Sequence, residues 1–294
     1  MKRMSFLLHA LSPLHCGTGQ GVDIIDLPIA RMHSTGIPFV PGSSLKGVMR
    51  DAAQGKAEEI FAVYGPDTAN ASDNAGALVI GDARLLLLPV RSFFGTFCWV
   101  TSPLLLHLAA RDFESSGLQL PSGVPAIVGR GARVAQANHA NVHNGKVYLQ
   151  DLDLNVKVEA ADSLTDQWFK LLATLLPESE RPLLNTRFAI IDDETMTFLW
   201  ETAMQVDARN RINEKGVVVD GALWYEESLP PESILVGQFA AEATRRSGVS
   251  LSPDQVIAFA LPAGLSHTLQ VGGKATVGRG ICKIYTPVTT TNPE

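Results

Sequence analysis

The apolar residues of this 294-residue chain come in runs of strand length, cut short by glycine and proline. The longest run, Leu85 to Val90, falls far below the roughly 20 residues needed to span a bilayer. Segments this short bury their apolar side chains only by pairing edge to edge and by covering the paired strands with helices. With 46% hydrophobic residues the chain has ample material for such a core, which excludes global disorder. The N-terminal stretch superficially mimics a signal peptide, but Ser5, His9 and Pro13 interrupt it and no small-x-small site follows. It reads as a first strand.

The pattern predicts strands over 4–11 and 147–158, a strand pair or one long bent strand over 77–90, and an extended stretch over 24–33 held out of helix by Pro28. It predicts helices over 45–62, 103–113, 163–176 and 233–246. Ser43 and Ser44 are N-cap candidates for the first helix, and Asp162 or Ser163 for the third. Residues 204–229 read as a hairpin, and 269–285 as strand, glycine loop, strand. Residues 115–146, rich in Gly, Ala, Asn, Pro and His, read as a mobile insertion. Strand–helix–strand units at both ends indicate an α+β sandwich with insertions, in a single domain over 1–294.

The net charge of -6 argues mildly against a freely acting nucleic-acid binder, which is usually basic. The distribution is uneven, however. Residues 115–150 and 265–293 carry cations and no acid, whereas 151–201 holds much of the negative charge. Such a chain can present a basic stripe on one face and an acidic surface elsewhere. Three scattered cysteines, Cys16, Cys98 and Cys282, form no metal or disulfide pattern and fit a reduced cytoplasmic protein.

Gly17-Thr-Gly19-Gln-Gly21 follows a strand but lacks the helix that a dinucleotide fingerprint requires. Gly273-Lys274 lacks the flanking residues of a P-loop. The late loop is denser: Gly272, Gly273, Gly278 and Gly280 would let backbone approach a ligand, and Lys274 and Arg279 would neutralise phosphates. Ser43, Ser44, Lys46 and Arg50 combine helix-start hydroxyls with two cations on one face, which suits a phosphate. Asp23 and Asp26, near His15, are candidate acid, base or metal ligands, or simply turn formers. His139 and His143, four apart, would share a metal only if helical, which their Gly- and Asn-rich setting disfavours. Trp224-Tyr225 before Glu226-Glu227 is either a core pair or a stacking platform for bases.

Taken together, Gly36-Ile-Pro-Phe-Val-Pro-Gly-Ser-Ser-Leu-Lys-Gly-Val-Met-Arg50, Arg209-Asn-Arg-Ile-Asn-Glu-Lys-Gly216 with Gly221 to Pro231, and Leu269 to Gly280 resemble the RAMP superfamily of CRISPR-associated RNA-binding proteins. His15 to Arg31 most resembles the repeating backbone subunit of type III-B (Cmr) effector complexes. Residues 63–200 match less well. The resemblance implies an RRM-like, ferredoxin-like palm with an inserted thumb hairpin at 204–231. It implies partners: a guide RNA, a target RNA, copies of the same chain in a filament, and other Cmr-complex subunits.

It further implies a metal-dependent endoribonuclease that cuts guide-paired RNA at regular intervals and leaves 2′,3′-cyclic phosphate and 5′-OH ends. The family's cleaving aspartate falls on Asp26, as base or as ligand to Mg²⁺ or a similar cation, with Asp23 second. His15, Tyr225 and Glu227 are secondary candidates for proton transfer or positioning. Ser43, Ser44, Lys46, Arg50, Gly273, Lys274, Gly278 and Arg279 are the expected RNA contacts. A non-catalytic scaffold and a guide-processing ribonuclease are the alternatives.

Overall fold

The computed structural model describes residues 1–17, 19, 25–66, 75–135, 139–261 and 267–287. Strand β1 (Lys2–Ala10) is buried from Ser5 onward. Its side chains alternate between two cores, with Phe6, Leu8 and Ala10 on one face and Leu7 on the other. After β2 (Phe39–Val40) come α1 (Gly42–Ala52) and α2 (Ala57–Tyr64). The single helix expected over 45–62 is therefore two. Gly55 divides them at φ 150°, a backbone conformation that side chains rarely adopt. Pro41 takes the N-cap position, so Ser43 and Ser44 lie inside the first turn and do not cap it. Leu45 and Met49 face the core as the apolar stripe required.

The stretch 77–90 is two strands, β3 (Leu78–Ile80) and β4 (Ala83–Arg91), followed by β5 (Phe97–Thr101) and α3 (Pro103–Ser115). Residues 115–146, expected as an insertion, carry β6 (Ala132–Val134) and β7 (Val142–His143). Leu118, Leu120, Val124 and Ile127 from that stretch pack against the core. The strand expected over 147–158 is a hairpin of β8 (Lys146–Leu149) and β9 (Leu152–Val158), turning at Gln150 with φ 50°. Helix α4 (Leu164–Leu175) starts at Ser163, whose hydroxyl accepts from the Asp166 N–H. Then follow α5 (Arg181–Arg187), β10 (Phe188–Ile191) and α6 (Asp193–Thr202).

The expected hairpin is present as β11 (Gln205–Ile212) and β12 (Val218–Ser228), a two-stranded sheet of its own. Residues 233–246, expected as helix, instead form strand β13 (Ile234–Ala241). Its apolar run is buried on both faces, and a strand covered on both sides shows no period-2 alternation to separate it from a buried helix. Helix α7 (Pro253–Ala260), β14 (His267–Gln270) and β15 (Ile281–Tyr285) close the chain, with a short 3-10 turn at Ala275–Val277 in the glycine loop.

At the centre of the main sheet the order β15-β1-β13-β4 is antiparallel throughout, and β3 extends the pairing of β13. Helix α1 crosses from β1 to β3, and α7 from β13 to β14 and β15. This βαββαβ arrangement is the expected ferredoxin-like unit. Beyond β4 the sheet continues through β5, β10, β6, β9, β8 and β7. Side chains of α1, α2 and α7 cover one face; those of α4 and most of the buried stripe of α3 cover the other. The β11–β12 hairpin springs from one end of this unit, at the entry to β13.

Candidate functional site

The base of the hairpin is where the chemistry-bearing loops meet. Along β12 successive side chains point to opposite faces, so Trp224, Glu226 and Ser228 share one face and Tyr225 and Glu227 the other. Asp207 and Arg209 pair in register with Glu226 and Trp224 and so join the first face. Each face is held by a different loop.

The loop carrying Asp26 pairs along the outer edge of β12 and meets the Tyr225–Glu227 face at the Glu227 side chain. Leu27 bridges to Glu226 in parallel: its N–H donates to the Tyr225 carbonyl at 3.1 Å, and the Glu227 N–H donates back to Leu27 at 3.0 Å. Asp26 itself is exposed, and its Oδ2 accepts from the Tyr225 N–H at 2.7 Å. That bond fixes the carboxylate and leaves Oδ1 toward solvent. Tyr225 is 40% exposed beside it. Asp23, the second-ranked carboxylate, lies outside the described residues.

Glu227 is differently placed. Its carboxylate is buried, with Oε1 2.5 Å from Arg31 Nη2 and Oε2 accepting from the Ile29 N–H at 3.0 Å. Arg31 also donates to the Trp200 carbonyl at 2.9 Å. Glu227 thus pins the far end of the Asp26 loop. His15 is also buried: its Nδ1 donates to the Glu227 carbonyl at 2.6 Å, and its ring is covered by Gly17 and Gly273. Because a carbonyl only accepts, this bond sets the proton on Nδ1. Glu227 and His15 therefore brace Asp26 from behind, while Tyr225 stands beside it.

The glycine loop lies against the other face. Gly273 N–H donates to the His15 carbonyl at 3.0 Å, and Gly280 N–H to Pro13 at 2.8 Å. At Gly272 a Cβ would overlap the His15 carbonyl oxygen, which is why the loop needs glycine there. Lys274 Nζ is 2.8 Å from Glu226 Oε1, which also accepts from Trp224 Nε1 at 2.8 Å. Arg209 Nε faces Glu226 Oε2 at 3.4 Å. Burial would raise the Glu226 pKa, but Lys274, Trp224 and Arg209 together outweigh it and hold the carboxyl below its usual range. Arg279, expected at the RNA, is only 6% exposed: it donates to Ser228 Oγ and to Asp207 Oδ2, each at 2.7 Å. Gly278 takes the left-handed conformation at φ 77°.

Helix α1 presents the other expected RNA contacts apart from this hub. Ser43 is exposed, and Ser44 and Lys46 are half-buried. Burial, and then the neighbouring Arg50 charge, push the Lys46 pKa down, so an incoming anion would find a cation in need of one. Arg50 donates to the Pro66 carbonyl at 3.0 Å and lies over the Phe61 ring. Among the described residues no hydrogen bond or ion pair joins Ser43, Ser44 or Lys46 to the hairpin base. Sequence patterns singled out neither Asp207 and Arg209 nor Glu226 as partners of the glycine loop. Only the register of β11 on β12 makes them one cluster.

The remaining candidates separate. His139 donates from Nε2 to the Phe188 carbonyl at 2.9 Å, whereas His143 stacks on Phe94. All three cysteines are free and buried, and burial pushes the Cys16 and Cys282 thiols up to about 12, far from a thiolate. Among the described residues no group of three or more His, Cys, Asp or Glu is placed to hold a metal. No helix among them is long and apolar enough to cross a membrane.

The model of the RAMP superfamily matches residues 7–283, nearly the whole chain. The chain belongs to the RAMP superfamily. The CRISPR system Cmr endoribonuclease Cmr4 of Pyrococcus furiosus is 31% identical to it over 298 residues, covering 99% of this chain and 98% of that protein. The crystal structure of oligomeric Cmr4 from Pyrococcus furiosus superposes with a TM-score of 0.75 at 26% identity, over 98% of both chains. A chain in the cryo-EM structure of the type III-B Cmr-beta complex bound to cognate target RNA shares the fold, with a TM-score of 0.73 at 21% identity over 97% of both chains. The superfamily match takes in the Asp26 loop, α1, the β11–β12 hairpin and the glycine loop together.

Proposed function

We propose that this chain is the guide-RNA-binding, filament-forming backbone subunit of a type III-B CRISPR effector complex in the cytoplasm, and that it cleaves guide-paired target RNA at regular intervals. The observation that carries this reading is Asp26: an exposed carboxylate, anchored by one oxygen, at the base of a protruding hairpin in a chain 31% identical along its length to a Cmr endoribonuclease. The β11–β12 hairpin acts as the thumb. Val206, Ile212, Val217, Val218 and Leu223 are exposed along it, apolar surface suited to wedging beside a base and unstacking it. Displacing a base frees the adjacent backbone to reach in-line geometry, which a stacked A-form helix disfavours.

In the reaction the target 2′-oxygen bonds to the adjacent phosphorus and the P–O5′ bond breaks. The products are a 2′,3′-cyclic phosphate and a 5′-hydroxyl. Asp26 Oδ1 receives the proton of the 2′-hydroxyl, and water returns a proton to the departing O5′. The Tyr225 N–H holds Oδ2 in place while this happens. Tyr225 itself is exposed for contact with the RNA.

The residues fit Mg²⁺ only in the mode where one carboxylate and the phosphate oxygens of the RNA share the ion with water, since Glu226, Glu227 and Asp207 are engaged elsewhere. Asp26 would hold it, and the ion would neutralise the charge that builds on the phosphorane oxygens. Ser43, Ser44 and Lys46 bind the guide backbone, and sequence choice rests with guide–target pairing. The test is cleavage by the complex reconstituted with guide RNA, with and without Mg²⁺, comparing the chain with Asp26→Asn while binding is followed by gel shift. Regularly spaced cuts that vanish in Asp26→Asn while binding survives support the reading, and unchanged cutting sinks it.

A further inference from the structure

Lys274 and Arg279 sit in a glycine-rich loop beside an RNA-binding fold, and such cations ordinarily neutralise phosphates. Here both are already neutralised by the protein. Arg279 spans the two strands of the hairpin, reaching Asp207 on β11 and Ser228 on β12. Lys274 meets the buried carboxylate of Glu226. Lys274 does so from the left-handed region, at φ 68°, which a glycine would occupy at lower cost. Four glycines surround it in the same loop, so a side chain at that strained position implies that the ammonium is needed where it points. The loop itself is locked to the 13–17 segment by the Gly273–His15 and Gly280–Pro13 hydrogen bonds. The outer edge of β12 at the same hairpin base holds Asp26 through the backbone of Tyr225 and Leu27.

We infer that Lys274 and Arg279 are positioning residues for the hairpin rather than RNA contacts: they clamp one face of its base so that the outer edge of β12 presents Asp26 at a fixed distance from the base-displacing tip. The inference rests on the nuclease reading above for its consequence, but not for the clamp itself. The clamp acts through three charge-assisted contacts, Arg279 to Asp207 on β11 and to Ser228 on β12, and Lys274 to Glu226 on β12, which resist both tilting of the hairpin and shearing of β11 along β12. A displacement of about 1 Å at the reacting atoms costs on the order of 100-fold in rate, so a loosened hairpin cuts slowly even with RNA fully bound.

The experiment uses the full chain and five proteins: wild type, Lys274→Ala, Lys274→Arg, Glu226→Gln and the double variant of Lys274→Ala with Glu226→Gln. Lys274 is partly exposed and Glu226→Gln keeps the acceptor for Trp224, so each variant is chosen to leave the core intact. Amide hydrogen exchange on the free chain reads hairpin order over residues 205–209 and 224–228. Guide-RNA affinity at several salt concentrations and cleavage in the reconstituted complex are measured in parallel. The clamp requires faster exchange at the hairpin base in both single variants, with an effect at least as large in Glu226→Gln, which also loses the Arg209 pair, and no further increase in the double, because Lys274 acts through Glu226. It requires guide affinity and its salt slope to stay at wild-type values, cleavage to drop, and Lys274→Arg to restore both exchange and cleavage. A phosphate contact instead lowers the salt slope by about 0.7 in Lys274→Ala with exchange unchanged, and Glu226→Gln then tightens guide binding by freeing the lysine. That result overturns the inference. Exchange and affinity are read without any cutting, so an inactive wild-type complex refutes the nuclease reading and leaves the clamp to be judged on its own.

Discussion

Glu227 offers a sharp test of how the Asp26 loop is held. Its carboxylate is 4% exposed, pairs with Arg31 Nη2 and accepts from the Ile29 N–H. In Glu227→Ala the guanidinium loses its charge partner and the Ile29 N–H loses its acceptor. Breaking a fully buried pair costs about 3–5 kcal/mol, chiefly because the remaining charge is stranded. Arg31 is 22% exposed and keeps the Trp200 carbonyl, so water recovers part of that penalty. The expected loss is about 2–4 kcal/mol for Glu227→Ala, and about 1–2 kcal/mol for Glu227→Gln, which retains an acceptor. Urea unfolding of the two variants reads these values, and cleavage should fall in the same order as stability. Were Glu227 a proton donor or acceptor in the reaction, Glu227→Gln would abolish cleavage at nearly full stability. A cost under about 0.5 kcal/mol for Glu227→Ala, the range of an ordinary surface change, would refute the Glu227 anchor of the Asp26 loop.

The remaining predictions concern the glycine loop, acid stability and the guide. Gly280→Ala places a Cβ into the Val271 carbonyl oxygen at φ 76°, and should cost about 2–4 kcal/mol by the same unfolding measurement. Glu226 has its carboxyl pKa held below the usual value, so its stabilisation is complete above about pH 4.5 and is lost as pH falls below that; a stability–pH profile should be flatter there for Glu226→Gln. Lys46→Ala should weaken guide binding for every guide sequence alike and reduce the salt slope by about 0.7, as filter binding at graded salt would show.

Much of the fold was legible because it is written in local patterns. Strand-length runs located β1 and the two strands at 78–91, and Ser163 announced the start of α4. Where a segment is buried on every side the pattern is silent: β13 is apolar almost throughout and reads equally as a core helix. Single residues at positive φ divided segments that periodicity ran together, Gly55 between α1 and α2 and Gln150 between β8 and β9. The site was legible only as a list of residues. Asp26 meets Tyr225 across 199 positions and Arg31 meets Glu227 across 196, distances at which no spacing rule operates. Burial was the least legible property. Arg279 looked like a free cation in a glycine loop, yet its guanidinium is buried and bridges side chains of β11 and β12.

The central claim is that one exposed, one-side-anchored carboxylate carries the cleavage. Its most direct test is the rate of target cutting by the guide-loaded complex with Asp26→Asn, a change that keeps size and the acceptor for the Tyr225 N–H while removing the charge. The account predicts that the regularly spaced cuts disappear while guide and target binding stay at wild-type levels. Cuts that persist at the wild-type rate and positions would contradict it, and would leave this chain as scaffold to a nuclease elsewhere.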